Sequence, residues 1–270
     1  LDFVSASPAQ GPFFELLSHA PQHGLSLVRR LVDCAIAFYS RGREHGTDAF
    51  IIVFPDGERA FPWTQSYTWS REGAGRNCIT SALMALEAWA HRRIENGESL
   101  DTVLVDVLGP PGSPAAVVLV AVDLVLSHWP KSREAAVPFV ACPELLCLDR
   151  QRQLHDNFES PDFLGLRALE KEPVGMVSLD SLKKRPSRRS TLDRLFGKYA
   201  VFGPVELRER LSVLLRRAAQ RLGPPNEQSD FRDPAFMAAH ALNALSPDNW
   251  REVSVTRADG TQVAAHEYVP

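Results

Sequence analysis

The stretch Pro114 to Val122, "PAAVVLVAV", is apolar on every face of the helix it would form, and this sets the first limit on the fold. At about 1.5 Å per residue it falls far short of the roughly 30 Å of a bilayer core, and Asp123 and His128 break the apolar run beyond it. A helix with no polar face must be covered on all sides by other elements, so it belongs at the centre of a core. The 270 residues, 44% of them hydrophobic, suffice for one large domain or two small ones.

Around that helix the apolar period changes several times. "GPFFELLSHAP" and "QHGLSLVRRLVDCAIAFYSRG" read as a short helix, a corner and a longer helix. "AFIIVFPDGERAFPW" is two short apolar runs around Pro55-Asp56-Gly57, a hairpin signal. From Asn77 the helical period returns through Ile79, Leu83, Leu86, Trp89, Ala90 and Ile94, and Asn96-Gly97 supplies its C-cap. Ser99 then caps a short helix, and after a Gly/Pro corner a longer helix runs from about Ser113 to Trp129. Repeated short-long pairs are how α-solenoids bury faces that no single pair can bury. The fold expected is mainly α, with α-solenoid-like stacked helix pairs and two β-hairpins, at about 49–63 and 251–268.

Three stretches are expected along the chain: a helical-repeat domain with an inserted hairpin over 1–158, an exposed basic connection rich in Pro and Ser over 159–192, and a helix pair plus hairpin over 193–270. In the last, one amphipathic helix is opened by Pro204 and closed by Gly223, a second starts at Asp233-Pro234, and the hairpin turns at Asp259-Gly260. The first residues, "LDFVSASPAQGPF", have no basic segment leading into an apolar one, so no secretory signal is read and a cytoplasmic protein without membrane contact is expected. With no initiator methionine and an abrupt "EYVP" ending, the sequence reads as a segment of a longer polypeptide.

Tests for chemistry come out negative. Charge is nearly balanced, 30 Lys+Arg against 33 Asp+Glu, so nothing global draws the chain to nucleic acid or anionic lipid. Cys34, Cys78, Cys142 and Cys147 form no C-x-x-C pair and read as reduced core residues. "GAGRNCIT", around Gly73 and Gly75, has neither the lysine nor the spacing of a phosphate-binding loop, and Cys78 stands where a dinucleotide fold needs its third glycine; it reads as a helix start. The eight histidines are dispersed without ligand spacing and read as surface or capping residues, so no metal, cofactor or catalytic residue is assigned. No G-x-S-x-G elbow occurs.

Two features remain as candidate contacts. "LKKRPSRRS", 182–190, places Lys183, Lys184, Arg185, Arg188 and Arg189 in nine positions, and Arg210, Arg217 and Arg221 share a face of the following helix. A solvated loop is the plainer reading, and a phosphate or acidic-partner contact the sharper one, since no aromatic residues are interleaved for stacking. Trp63, Tyr67 and Trp69 follow the first hairpin closely; they read as packing aromatics or as a ligand platform.

"YTWSREGAGRNCITSALMALEAWAHRRIENGESLDTVLVDVLGPPGSPAAVVLVAVDLVLSHWP" and "AFMAAHALNALSPDNWREV" resemble the helical region of very large bacterial proteins in which a STAND-type (NACHT/AAA-like) ATPase precedes a long helical-repeat array. The resemblance covers residues 67–130 and 236–252, and it rests on packing motifs. It implies a sensor or scaffold segment beyond the ATPase core, as in bacterial defence against phage, with other domains of the same polypeptide and a protein trigger as partners. The ATPase motifs themselves are absent from this segment. A helical hydrolase or nuclease assembled only in the fold, and a nucleic-acid contact through 182–190, are the alternatives.

Overall fold

The structure, a computed structural model, describes residues 6–40, 48–71, 77–157, 178–256 and 259–269, apart from the side chain of His155. Among these residues the chain is mainly helical, with two antiparallel two-stranded sheets. It divides into two units, one of residues 1–136 with 151–190 and one of 137–150 with 191–270.

In the first unit, α1 (Phe13–His19) and α2 (Pro21–Tyr39) bury Leu17, Val28 and Val32 against each other and their neighbours. They cross closely because Gly24 has no side chain: a Cβ there would lie 2.8 Å from the Leu17 Cα. β1 (Ala49–Phe54) pairs with β2 (Gly57–Pro62), Phe54 opposite Gly57 and Phe50 opposite Phe61. The period-2 alternation puts Phe50, Ile52 and Phe61 inward. Trp63 then turns the chain with a positive φ of 63° into a 3-10 segment, Thr64–Ser70, that carries Tyr67 and Trp69 into the core.

α3 (Asn77–Glu95), α4 (Leu100–Leu108) and α5 (Ala115–Ser127) come next. The Ser99 hydroxyl accepts the Thr102 N–H at 3.2 Å, as the capping signal predicts. At the other end of α4, Arg29 donates to the Asp106 carbonyl and Arg59 to the Gly109 carbonyl, each at 2.6 Å, which satisfies acceptors the helix leaves open. Every residue of α5 from Ala115 to Leu126 is buried, under α3, α4 and the 3-10 segments 64–70 and 186–189. This is the position that its all-round apolar sequence requires. Among the described residues no helix is long and apolar enough to cross a membrane.

The chain continues through α6 (Val137–Val140) and α7 (Pro143–Asn157), with the division between units falling inside α7. α8 (Leu179–Lys183) and a 3-10 turn, Pro186–Arg189, return to the first unit. The exposed connection expected over 159–192 is therefore corrected over 178–192, where Leu182, Ser187 and Leu192 are buried. Residues 159–177 of that expectation, like the turn at Gly73 and Gly75, lie outside the described residues. The expectation for cysteines holds for Cys142 and Cys147, whereas Cys34 and Cys78 are exposed on helix faces that point away from the core.

The second unit gathers α6, the first part of α7, α9 (Leu195–Phe202), α10 (Val205–Leu222), α11 (Pro234–Leu245) and the hairpin β3 (Trp250–Thr256) with β4 (Gln262–Tyr268). α10 buries only Leu211 and Leu215, and α11, which packs on α10 and α9, buries Met237, Ala238 and Ala241. The Asp233 carboxylate caps α11 by accepting the Ala235 N–H at 2.9 Å. Trp250 anchors the hairpin: its ring covers Gly197, where a Cβ would lie 2.5 Å away, and its indole N–H donates to the Ala244 carbonyl at 2.8 Å.

Candidate functional site

Glu87 in "SALMALEAWAH" and Asp123 in "AVVLVAVDLVL" are each the one acid in an apolar stretch, and both are fully buried. An unpaired carboxylate there would cost several kcal/mol, on the order of the desolvation penalty for one ion, so the fold must bring cations to it. Three arginines from separate segments do so. Arg71, after the 3-10 segment 64–70, forks onto Asp123 with Nη2 donating to Oδ1 at 2.8 Å and Nη1 to Oδ2 at 2.9 Å. Its Nε donates to Asp156 at 2.8 Å. Arg188, from the turn 186–189, bridges the two helices: Nη2 donates to both Glu87 oxygens, at 2.7 and 3.0 Å, and Nη1 reaches both Asp123 oxygens, at 3.2 and 3.3 Å. Arg152 on α7 is fully buried, donating to the other Asp156 oxygen and to the carbonyls of Ser187, at 2.9 Å, and Ser190, at 2.7 Å.

The cluster is thus neutral, three guanidiniums against three carboxylates, and each of the six carboxylate oxygens accepts from an arginine. Burial alone would raise the Asp123 carboxyl, but Arg71 and Arg188 outweigh it and hold the group well below the usual carboxylate range. In the same way burial works against the Arg71 charge, and Asp123, Asp156 and Glu87 more than restore it. Asp123, held ionised with both oxygens shared between two arginines, is a poor general acid. The geometry serves to clasp: α3, α5, α7 and the turn 186–189 are drawn together through one connected set of charge-assisted hydrogen bonds.

Beside the clasp lies a histidine pair. His91, fully buried on α3, meets His128 just beyond α5 with Nδ1 and Nε2 3.0 Å apart, and its own Nε2 stands 3.8 Å from Glu87. The bond needs one ring N–H and one ring lone pair, so it does not survive double protonation. His128 is driven down to about 4, first by burial and then by His91 and Arg185, with Glu95 opposing and Lys131 adding to the shift. The unfolded chain takes up this proton near pH 6.5 and the folded one near 4, so stability falls as pH drops through that window. His128→Gln should flatten the pH dependence of the melting temperature between pH 6.5 and 4; an unchanged slope would refute the assignment.

The residues singled out in the sequence divide between the two units. Arg188 belongs to the clasp, with its side chain only 9% exposed, which corrects the reading of 182–190 as a solvated loop; the buried carboxylates of Glu87 and Asp123 are the reason. Arg185 pairs with Glu95 on α3, Lys183 is half-buried, and Lys184 and Arg189 are exposed. In the second unit Arg221 donates to Glu144 at 2.6 Å, Arg217 is exposed and Arg210 half-buried. Tyr67 and Trp69 are packed in the core and Trp63 is half-buried, so the aromatic set forms no open platform. His91 corrects the expectation of surface histidines. Sequence reasoning missed Glu87, Arg71, Arg152 and Asp156 as a set, although a lone acid on an otherwise apolar helix signals a distant counter-charge.

Elsewhere the buried thiols are quenched. Cys147 is pushed up to about 12 by burial and then by Glu144, and Cys142 is raised by the same causes. Among the described residues no three His, Cys, Asp or Glu side chains converge as metal ligands. No protein-family model matches the chain, and no curated protein does.

Proposed function

We propose that the chain is a non-catalytic helical scaffold or sensor segment of a larger bacterial protein, working in the cytoplasm by binding other domains of its own polypeptide and a protein trigger. One observation carries the reading: the densest set of ionisable groups among the described residues is a closed clasp in which arginine occupies every carboxylate oxygen. Charge used this way fixes helix packing, and each of these carboxylates faces arginine in place of a substrate. The pairs α1 with α2 and α4 with α5 fit a solenoid-like stack, and the resemblance to the helical region of STAND-type proteins points the same way. Engagement of Arg185 and Arg188 in ion pairs weakens the nucleic-acid reading of 182–190.

The test is an assay of the purified chain and of Glu87→Gln against single- and double-stranded DNA, RNA and a generic phosphodiester and ester, with and without Mg²⁺. The scaffold reading expects no turnover that depends on Glu87. Hydrolysis lost in a folded Glu87→Gln variant would establish the hydrolase instead.

A further inference from the structure

α10 carries Arg208, Ser212 and Arg216 four residues apart, hence on one face, and that face looks onto the end of α11. Between them lies a cleft of about 410 Å³, lined by these three residues together with Glu209, Leu242 and Leu245. Its size is that of a ligand pocket for a few side chains. Leu242 is only half-buried, so the cleft offers an apolar wall as well as polar groups. Arg208 is steadied at its inner edge by donating to the Ala200 carbonyl at 3.3 Å, and Arg216 is exposed at the other end.

Eight residues of helix separate the two arginines by about 12 Å. A single carboxylate or phosphate does not span that distance. In an extended peptide, residues four apart point to the same side about 13 Å from each other, and the residue midway points there too. We infer that this cleft binds an extended acidic peptide of the pattern acidic-x-apolar-x-acidic, its carboxylates on Arg208 and Arg216 and its central side chain on Leu242 and Leu245. This deepens the scaffold reading and rests on it, since it names the kind of protein segment bound. A nucleic-acid strand fits less well: no aromatic residue lines the cleft for base stacking, and Glu209 repels a uniformly charged backbone.

The experiment is fluorescence anisotropy with the whole chain and a labelled peptide containing Glu-Ser-Leu-Ser-Glu. Comparison peptides replace both Glu with Lys or the Leu with Ser, and a labelled oligo-dT is the second probe. Saturable binding of the first peptide is expected, weakened about tenfold or more by Arg216→Glu, a change at an exposed position that spares the fold. Ser212→Trp, which fills the cleft, should abolish it. Absence of binding, equal binding of the Lys peptide, or tighter binding of oligo-dT that Arg216→Glu abolishes would each overturn the inference. Hydrolysis assays on Glu87→Gln test the scaffold reading independently, so a failure of the peptide alone removes only the cleft.

Discussion

Asp123→Ala should destabilise the first unit by about 3–5 kcal/mol, because it leaves the buried cluster with one uncompensated positive charge, Arg71 keeping only Asp156 and Arg188 only Glu87 at hydrogen-bond distance. Arg71 loses a forked pair of hydrogen bonds at 2.8 and 2.9 Å, and Arg188 loses the partner that ties the turn 186–189 to α5. Neither guanidinium reaches water without opening the core, as their side chains are 7% and 9% exposed. Lys184→Ala, at an exposed position of the same basic run, should change stability by less than about 0.5 kcal/mol. Urea midpoints of the two variants provide the comparison. Similar midpoints would mean that the clasp holds nothing together.

Leu119→Ala should cost about 2–5 kcal/mol, near the upper end if the cavity fails to collapse. Leu119 lies at the middle of a helix whose neighbours on every side are α3, α4 and two 3-10 segments, so no solvent-facing element can move in to fill the space. It is also one turn from Asp123, on the same face, and loosening it frees the carboxylate from the geometry that Arg71 and Arg188 require. Val105→Ala on α4, at a position 66% exposed, removes similar carbon from water-facing surface and should be nearly neutral. Thermal and urea unfolding of both variants measure the contrast.

How much of this was legible in the sequence depends on the range of the interaction. Local rules located α3, α4, α5, α10 and α11, because periodicity and caps such as Ser99 and Asp233 act within a few residues. The tight turn at Pro55-Asp56 set the first hairpin register in the same way. The centrality of α5 came from its lack of a polar face. The clasp was not legible, since Arg188 meets partners 65 and 101 residues away and nothing local marks it apart from Lys184 or Arg189. Density of charge in 182–190 suggested solvent, whereas one arginine of that run was needed in the core. Glu87 and Asp123 carried the usable signal: an acid amid apolar helical sequence demands a cation from somewhere else in the chain. Tyr67 and Trp69 could be placed only by knowing what the 3-10 segment packs against, which is α5, about fifty residues on.

The central claim is that these charges are kept for packing rather than for chemistry, and Glu87→Gln tests it most directly through urea unfolding at neutral pH. The side chain keeps its shape, loses its charge and turns an amide towards Arg188 Nη2, which in the native protein donates to both Glu87 oxygens. The account predicts a loss of about 1.5–3 kcal/mol with the fold retained. Unchanged or increased stability, the behaviour of residues held at the expense of stability for function, would contradict it.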